Sequence, residues 1–141
     1  REARGEAAVN SIWLWGPGRA ARASCPWQSV AADDPSVIGA ARLAGARQRP
    51  LPRSAGDWLD RLPDNGRHLA VLDSLRAKPG QVVLDRLEHE WFEPLLAALR
   101  SGRLGMVTVH VPDAADALSF ETIRADLRRF WRRAKPLERY A

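Results

Sequence analysis

The chain has one cysteine, one methionine and no long hydrophobic run among its 141 residues. Because Cys25 has no second cysteine to pair with, an internal disulfide is excluded, which agrees with a reducing compartment. The sequence also shows no signal peptide and no uninterrupted apolar stretch of membrane-spanning length. We therefore expect a soluble, cytoplasmic protein without a membrane partner. Since Met106 is the lone methionine, we also expect a C-terminal fragment of a longer protein.

The chain has more basic than acidic side chains, and most of this excess lies near its C-terminal end. The net charge is +5, and residues 121–141 hold seven basic side chains against three acidic ones. Ser119 is predicted to cap a terminal helix, with Phe120, Ile123 and Leu127 on its apolar face. The cations on the opposite face are Arg124, Arg128, Arg132 and Lys135. Such a face is usually a solvated cover, so a nucleic-acid-binding module stays an alternative and not the leading interpretation.

Apolar runs alternate with helical patterns, which is typical of an α/β fold with a mostly parallel sheet. Strands are predicted at 11–15, 28–31, 47–51, 68–72 and 106–111. The run 47–51 is expected at a sheet edge, because Pro50 and Pro52 exclude a central position. We expect a single α/β domain over residues 1–141, with roughly four or five strands and helices on both faces of the sheet.

Capping residues place two short helices between these strands. Asp34 is predicted to cap a helix that begins at Pro35 and stops at Gly45. This helix is rich in alanine, so it can pack close to a sheet. Ser54 is predicted to cap a second, brief helix that carries Trp58.

The longest helical stretch has one apolar stripe with spacings of three and four residues. The stripe consists of Leu84, Leu87, Trp91, Leu95 and Ala98. Pro94 predicts a kink or two successive helices, because proline cannot donate the helical hydrogen bond at its position. Gly102 is predicted to end the stretch.

The run 10–19 reads Asn-Ser-Ile-Trp-Leu-Trp-Gly-Pro-Gly-Arg and joins a very apolar strand to a tight turn. Gly16 and Gly18 allow a positive φ or a close approach of the backbone, and open α/β sheets build binding crevices where a strand meets such a loop. We predict a crevice for a small anionic or phosphorylated ligand here. Its residues are Asn10, Trp15, Gly16, Gly18 and Arg19, with Asp73 nearby.

The same loop formally matches the dinucleotide fingerprint G-x-G-x-x-A, and Asp33 and Asp34 follow at about the distance of a ribose contact. Pro26 leaves too short a stretch for the long helix that should face a pyrophosphate. Without Lys-Ser or Lys-Thr after the glycines, a P-loop is excluded. A tight turn with Arg19 exposed is therefore favoured over a dinucleotide site.

In its short sequence motifs and their order along the chain, the protein resembles the proteobacterial RpfE-type regulatory proteins, relatives of cofactor-independent phosphoglycerate mutases. The resemblance spans nearly the whole chain: it starts with 10–19 and continues through Trp27, 32–35, 39–45, 91–99 and 130–133. It implies a sheet like that of the alkaline-phosphatase superfamily. It also implies that the N-terminal half of the same protein is a partner of this part.

Three potential metal ligands, Asp73, His110 and Asp113, lie at or just beyond the ends of predicted strands, where parallel strands converge. The resemblance implies two metal ions held by Asp and His, including an adjacent Asp-His pair after a strand. Here residues 109–113 read Val-His-Val-Pro-Asp, so the pair is missing, and the cations Arg76 and Lys78 follow Asp73. No cofactor is predicted, and a divalent metal only if the protein is an enzyme.

These observations favour a regulatory or ligand-binding protein of the RpfE type, with a catalytically degenerate phosphoglycerate-mutase-like domain. The alternative is a metal-dependent phosphoglycerate mutase or phosphatase completed by the N-terminal half, where the resemblance places the nucleophile. No catalytic residue is assigned here. His68 and His89 are isolated, and histidines so placed are usually structural or solvent-facing.

Overall fold

The fold is that of a computed structural model, which describes residues 19, 22–63, 65–73, 81–112 and 117–128. The predicted strand 11–15, Gly16, Gly18 and the chain beyond residue 128 lie outside these residues. None of the helices within the described ranges is long and apolar enough to cross a membrane.

The described elements alternate between short strands and helices, as the sequence predicts. In chain order they are β1 (Ser29–Ala31), α1 (Pro35–Leu43), β2 (Arg47–Arg49), α2 (Ala55–Leu59), β3 (His68–Ala70), α3 (Gln81–Leu87), a π-helix (Glu88–Phe92), α4 (Glu93–Ser101), β4 (Met106–Pro112), β5 (Ala117–Ile123) and a 3₁₀ turn (Asp126–Arg128).

A parallel sheet holds the first three strands in the order β2-β1-β3. Ser29 of the central strand is level with Arg47 on one side and His68 on the other, and Ala31 is level with Arg49 and Ala70. The α/β architecture is thus confirmed, and among the described strands β2 lies at the sheet edge, as predicted. The strand predicted at 106–111 forms as β4, but it pairs antiparallel with β5 and not with the parallel sheet.

Helices cover both faces of the parallel sheet, because side chains alternate between the faces of a strand. Val30 points to one face and packs with Ala41 of α1 and with Leu69. Ala70 points to the opposite face and lies against the cluster of α2, α3 and the π-helix, which has Trp91 at its centre. Half of the buried residues in the described ranges are alanines, which let helix and sheet approach closely: Ala31, Ala32, Ala41, Ala46, Ala55 and Ala98.

The predicted caps of α1 and α2 are confirmed. The Asp34 carboxylate accepts hydrogen bonds from the N–H groups of Ser36 at 2.7 Å and Val37 at 3.2 Å. The Ser54 hydroxyl accepts one from the Asp57 N–H at 3.2 Å. After α1 the chain turns at Gly45, whose φ of 76° suits glycine.

The kink predicted at Pro94 takes the form of the π-helix just before it. Proline has no N–H to donate to the Glu90 carbonyl four residues back, and the Glu93 N–H donates to the carbonyl of Glu88, five residues back. Gly102 ends α4 with a φ of 82°. The predicted stripe is wrong at its start, since Leu84 is 50% exposed, whereas Leu87, Trp91 and Ala98 are buried.

The terminal helix predicted to start at Ser119 is wrong over the described residues. Residues 117–123 form β5, whose half-buried and exposed side chains alternate with the period of a strand. Phe120 and Ile123 therefore do not share a helical stripe. Arg124 lies in the turn after β5 and Arg128 in the 3₁₀ turn, while Arg132 and Lys135 lie outside the described residues.

Candidate functional site

The three parallel strands end at one edge of their sheet, which we call the carboxyl edge. The strand order reverses at β1, because the chain runs from β1 to β2 on one side and then returns to β3 on the other. In doubly wound sheets, ligands bind outside the carboxyl ends of the strands at such a reversal. The residues that follow β1, β2 and β3 are therefore the first candidates for a site.

Two carboxylates after β1 hold this edge together. The Asp33 carboxylate accepts a hydrogen bond from the Leu51 N–H at 3.1 Å and so ties the exit of β1 to the exit of β2. Asp34 caps α1, as described above. The two side chains considered for a ribose contact are thus both hydrogen-bonded to backbone N–H groups of this chain.

An open depression of about 300 Å³ lies at this edge, between the exits of β1 and β2. Its lining residues are Ala32, Asp33, Ile38, Gln48, Arg49 and Pro50. The aliphatic wall comes from α1 through Ile38, Arg49 supplies a positive charge, and Asp33, whose carboxylate accepts from the Leu51 N–H, supplies a negative one. A depression that combines an apolar wall with a few polar groups is the usual form of a small-molecule site.

The predicted crevice residues fall mostly outside the described ranges. Asn10, Trp15, Gly16 and Gly18 all do so. Arg19 and Asp73 are described, and both side chains are exposed. Asp73 comes three residues after β3, so it follows a strand of the carboxyl edge, as predicted.

The metal candidates are distributed over two parts of the fold. His110 is exposed on β4, and its Nδ1 lies 2.7 Å from the Ser119 hydroxyl of the paired strand. Asp73 follows the parallel sheet, and Asp113 lies outside the described residues. Within the part of the chain that the structure describes, no three His, Cys, Asp or Glu side chains come together as metal ligands.

Three buried nitrogen atoms near the sheet have no hydrogen-bond partner among the described residues. They are Arg49 Nε, Trp58 Nε1 and His68 Nε2. Buried polar atoms are paired in the great majority of cases, so each exception asks for an explanation. Arg49 was not among the predicted site residues; its signal in the sequence is an arginine directly before Pro50 at the end of a predicted edge strand.

Arg49 and Trp58 line the same small cavity. Its volume is about 60 Å³, and its other lining residues are Pro50, Pro52 and Arg61. Arg49 reaches it from the end of β2, and Trp58 from α2. Trp58 is held from behind by Trp91 of the π-helix, with ring centroids 6.0 Å apart and planes inclined by 47°. The cavity therefore lies between the carboxyl end of β2 and helix α2.

His68 stands on the same sheet face as Arg49, at the opposite end of the strands. Its Nδ1 lies 2.7 Å from the hydroxyl of Ser29, which is buried in the central strand. Burial lowers the pKa of His68, the positive charge of Arg49 lowers it further, and the backbone of Asn65 opposes the shift. The neutral form of the imidazole is therefore favoured, and Arg49 is a cation on the same face.

Comparison with known proteins adds no relative to this picture. No protein-family model matches the chain, and no curated protein and no solved structure matches it. Function is therefore argued from the site itself.

Proposed function

We propose that this chain is a regulatory, ligand-binding domain that takes a small anionic or phosphorylated ligand at the carboxyl edge of its parallel sheet. The observation that carries the proposal is the open depression at the reversal of strand order, with Arg49 in its wall. Anionic groups are held well by guanidinium donors that are fixed in place. The resemblance to RpfE-type proteins supports the same class of ligand.

We propose further that the domain is a catalytically degenerate relative of the phosphoglycerate mutases, with an alkaline-phosphatase-like sheet completed by the N-terminal half. The sequence at 109–113 lacks the adjacent Asp-His pair of that family. In the structure, His110 belongs to the antiparallel pair β4 and β5, where its Nδ1 is hydrogen-bonded to Ser119. This histidine is thus part of a strand pairing apart from the carboxyl edge.

Binding of 3-phosphoglycerate to the full chain, measured by isothermal titration calorimetry, tests the proposal. We expect saturable binding without conversion of the ligand when Mn²⁺ is present. Arg49→Gln removes the positive charge from the wall of the depression and should weaken the binding by about tenfold, the loss of one charge-assisted hydrogen bond. Arg47→Gln, an exposed arginine on the same strand, is the matched control and should bind normally.

Two results would contradict the proposal. If neither 3-phosphoglycerate nor another phosphorylated three-carbon acid binds, the domain is not a binding module of this class. If the chain refolded with its N-terminal half binds two Mn²⁺ or Zn²⁺ ions tightly and interconverts phosphoglycerates, the enzyme alternative is correct.

A further inference from the structure

The small cavity between β2 and α2 presents hydrogen-bond donors and no acceptor side chain. The guanidinium of Arg49 and the indole N–H of Trp58 can only donate. Both the Arg49 Nε and the Trp58 Nε1 are buried and have no partner among the described residues. The proline rings of Pro50 and Pro52 add no N–H to the cavity. A group that satisfies both donors must bring the acceptor atoms itself.

The charge of the cavity favours an anion as that group. Arg49 and Arg61 both line it. Within the described ranges neither guanidinium forms an ion pair, and the Asp60 carboxylate beside Arg61 accepts a hydrogen bond from Arg103 at 3.0 Å. Two cations that share one small cavity repel each other and attract an anion, and hydrogen bonds to an ionised acceptor are about twice as strong as neutral ones.

The size of the cavity limits the anion to a single small group. The volume is about 60 Å³, whereas one water needs roughly 10–15 Å³ and a pocket for a whole drug-sized ligand roughly 300–1,000 Å³. The depression of about 300 Å³ shares Arg49 and Pro50 with this cavity. The two spaces therefore adjoin at Arg49 and Pro50, so a ligand group in the cavity lies next to the depression.

The walls of the cavity are preorganised for such a group. Trp58 is on a helix capped by Ser54 and stacks in a tilted contact on the buried Trp91. Arg49 belongs to a strand that pairs with β1, and Pro50 and Pro52 restrict the backbone that leaves it. Donors that are already in position bind an anion with little loss of side-chain entropy.

From these observations we infer that the cavity binds one oxyanion group, a phosphate or carboxylate, through Arg49 Nε–H and Trp58 Nε1–H, with Arg61 adding charge at its rim. The inference rests on the proposed function, because it names the group by which the same ligand is held. Arg49 and Trp58 are binding residues in this view and have no assigned role in a reaction.

Titration of the ¹⁵N-labelled full chain with inorganic phosphate tests the inference directly. The indole N–H signal of Trp58, assigned by its loss in Trp58→Phe, should shift saturably with phosphate. It should not shift with sodium chloride at equal ionic strength. A parallel titration with acetate distinguishes the two sources of the oxyanion: a shift with phosphate alone assigns the cavity to a phosphoryl group, and a shift with acetate alone to a carboxylate.

Variants with matched controls locate the donors. Arg49→Lys keeps the charge but removes the Nε–H, and we expect about tenfold weaker binding of phosphate. Arg47→Lys, on the same strand and exposed, is its control and should bind as the wild type does. Arg61→Gln should weaken binding by about threefold. Because Arg61 is exposed, this variant keeps the test valid even if Arg49→Lys fails to fold.

The outcomes separate this inference from the proposed function. The inference is overturned if the Trp58 signal shifts with neither phosphate nor acetate. It is also overturned if Arg49→Lys and Arg47→Lys bind inorganic phosphate with equal affinity. If 3-phosphoglycerate still binds to Arg49→Lys with unchanged affinity, the proposed function stands and this cavity is not its site. If inorganic phosphate shifts the Trp58 signal but 3-phosphoglycerate binds no more tightly than inorganic phosphate, the cavity stands as an anion site and the ligand proposed for the carboxyl edge does not.

Discussion

The central strand of the parallel sheet and the antiparallel pair of β4 and β5 bury their residues in opposite ways. β1 has three residues, and all of them are buried. β4 and β5 have seven residues each, and every one of them is exposed or half-buried. Helices cover both faces of β1, whereas its neighbours β2 and β3 have only exposed or half-buried residues. The long strands β4 and β5 pack chiefly on each other. The buried strand is thus one of the short ones, so strand length is no guide to the stable part.

The two regions also differ in how closely local sequence signals agree with the structure. Around the parallel sheet, Asp34, Gly45 and Ser54 mark helix ends where the structure has them. In the region of β5, Ser119 has the appearance of a cap but lies inside a strand. Cap chemistry predicts a boundary only where the following residues are free to form a helix, and here they pair with β4.

The largest effect is expected from a substitution among the helices that cover the parallel sheet, and it tests whether stability depends on them. Trp91 is 5% exposed and packs on Trp58. Trp91→Ala should lower the free energy of unfolding by about 3–5 kcal/mol, as large-to-small core substitutions do. Val111→Ala on β4, where the side chain is 44% exposed, should lower it by less than about 1 kcal/mol. Urea denaturation followed by circular dichroism measures both, and equal losses would remove the difference between the regions.

A medium effect distinguishes a true cap from an apparent one. Asp34→Ala removes an acceptor of two backbone N–H groups and should lower the free energy of unfolding by about 1 kcal/mol. Ser119→Ala removes an exposed hydroxyl that contacts His110 and should lower it by less than about 0.5 kcal/mol. If Ser119→Ala is as costly as Asp34→Ala, residues 119–123 form the helix that their sequence predicts and not β5.

The smallest expected effect compares two Ser–His contacts of equal length. Ser29 and His68 lie 2.7 Å apart within the parallel sheet, and His110 and Ser119 lie 2.7 Å apart on the exposed pair. Burial lowers the pKa of His68 below its ordinary value of 6.5. The unfolded chain therefore binds the proton more readily, so stability should be fully present above pH 6.5 and fall as the pH drops through the lower folded-state value.

Thermal melts between pH 7.5 and 5 check this dependence, within the His range given by its ordinary pKa. His68→Gln should flatten the slope of melting temperature against pH relative to the wild type. An unchanged slope in His68→Gln would show that the sheet histidine is not the group that titrates.

Much of the parallel-sheet region could be predicted because its signals are local. The Asp34 carboxylate before Pro35 accepts from helix N–H groups wherever the helix lies in the fold. Pro50 and Pro52 exclude the run 47–51 from the centre of a sheet in any fold. The site was harder to predict. Arg49 and Trp58 are nine residues apart in the sequence, and nothing local shows that both reach one cavity. The crevice predicted around Gly16, Gly18 and Arg19 stays a prediction.

The sequence by itself determined the alternation of strands and helices from 29 to 112, the caps, and the break in the long helix at Pro94. The caps and the break depend on hydrogen bonds within a few residues, and the alternation follows from the local apolar pattern. Only the tertiary structure decided that 117–123 is a strand, that β4 leaves the parallel sheet, and that unpaired donors of β2 and α2 share a cavity. A residue's strand partner and the atoms across a cavity come from distant parts of the chain. Their contribution appears only once packing brings them together.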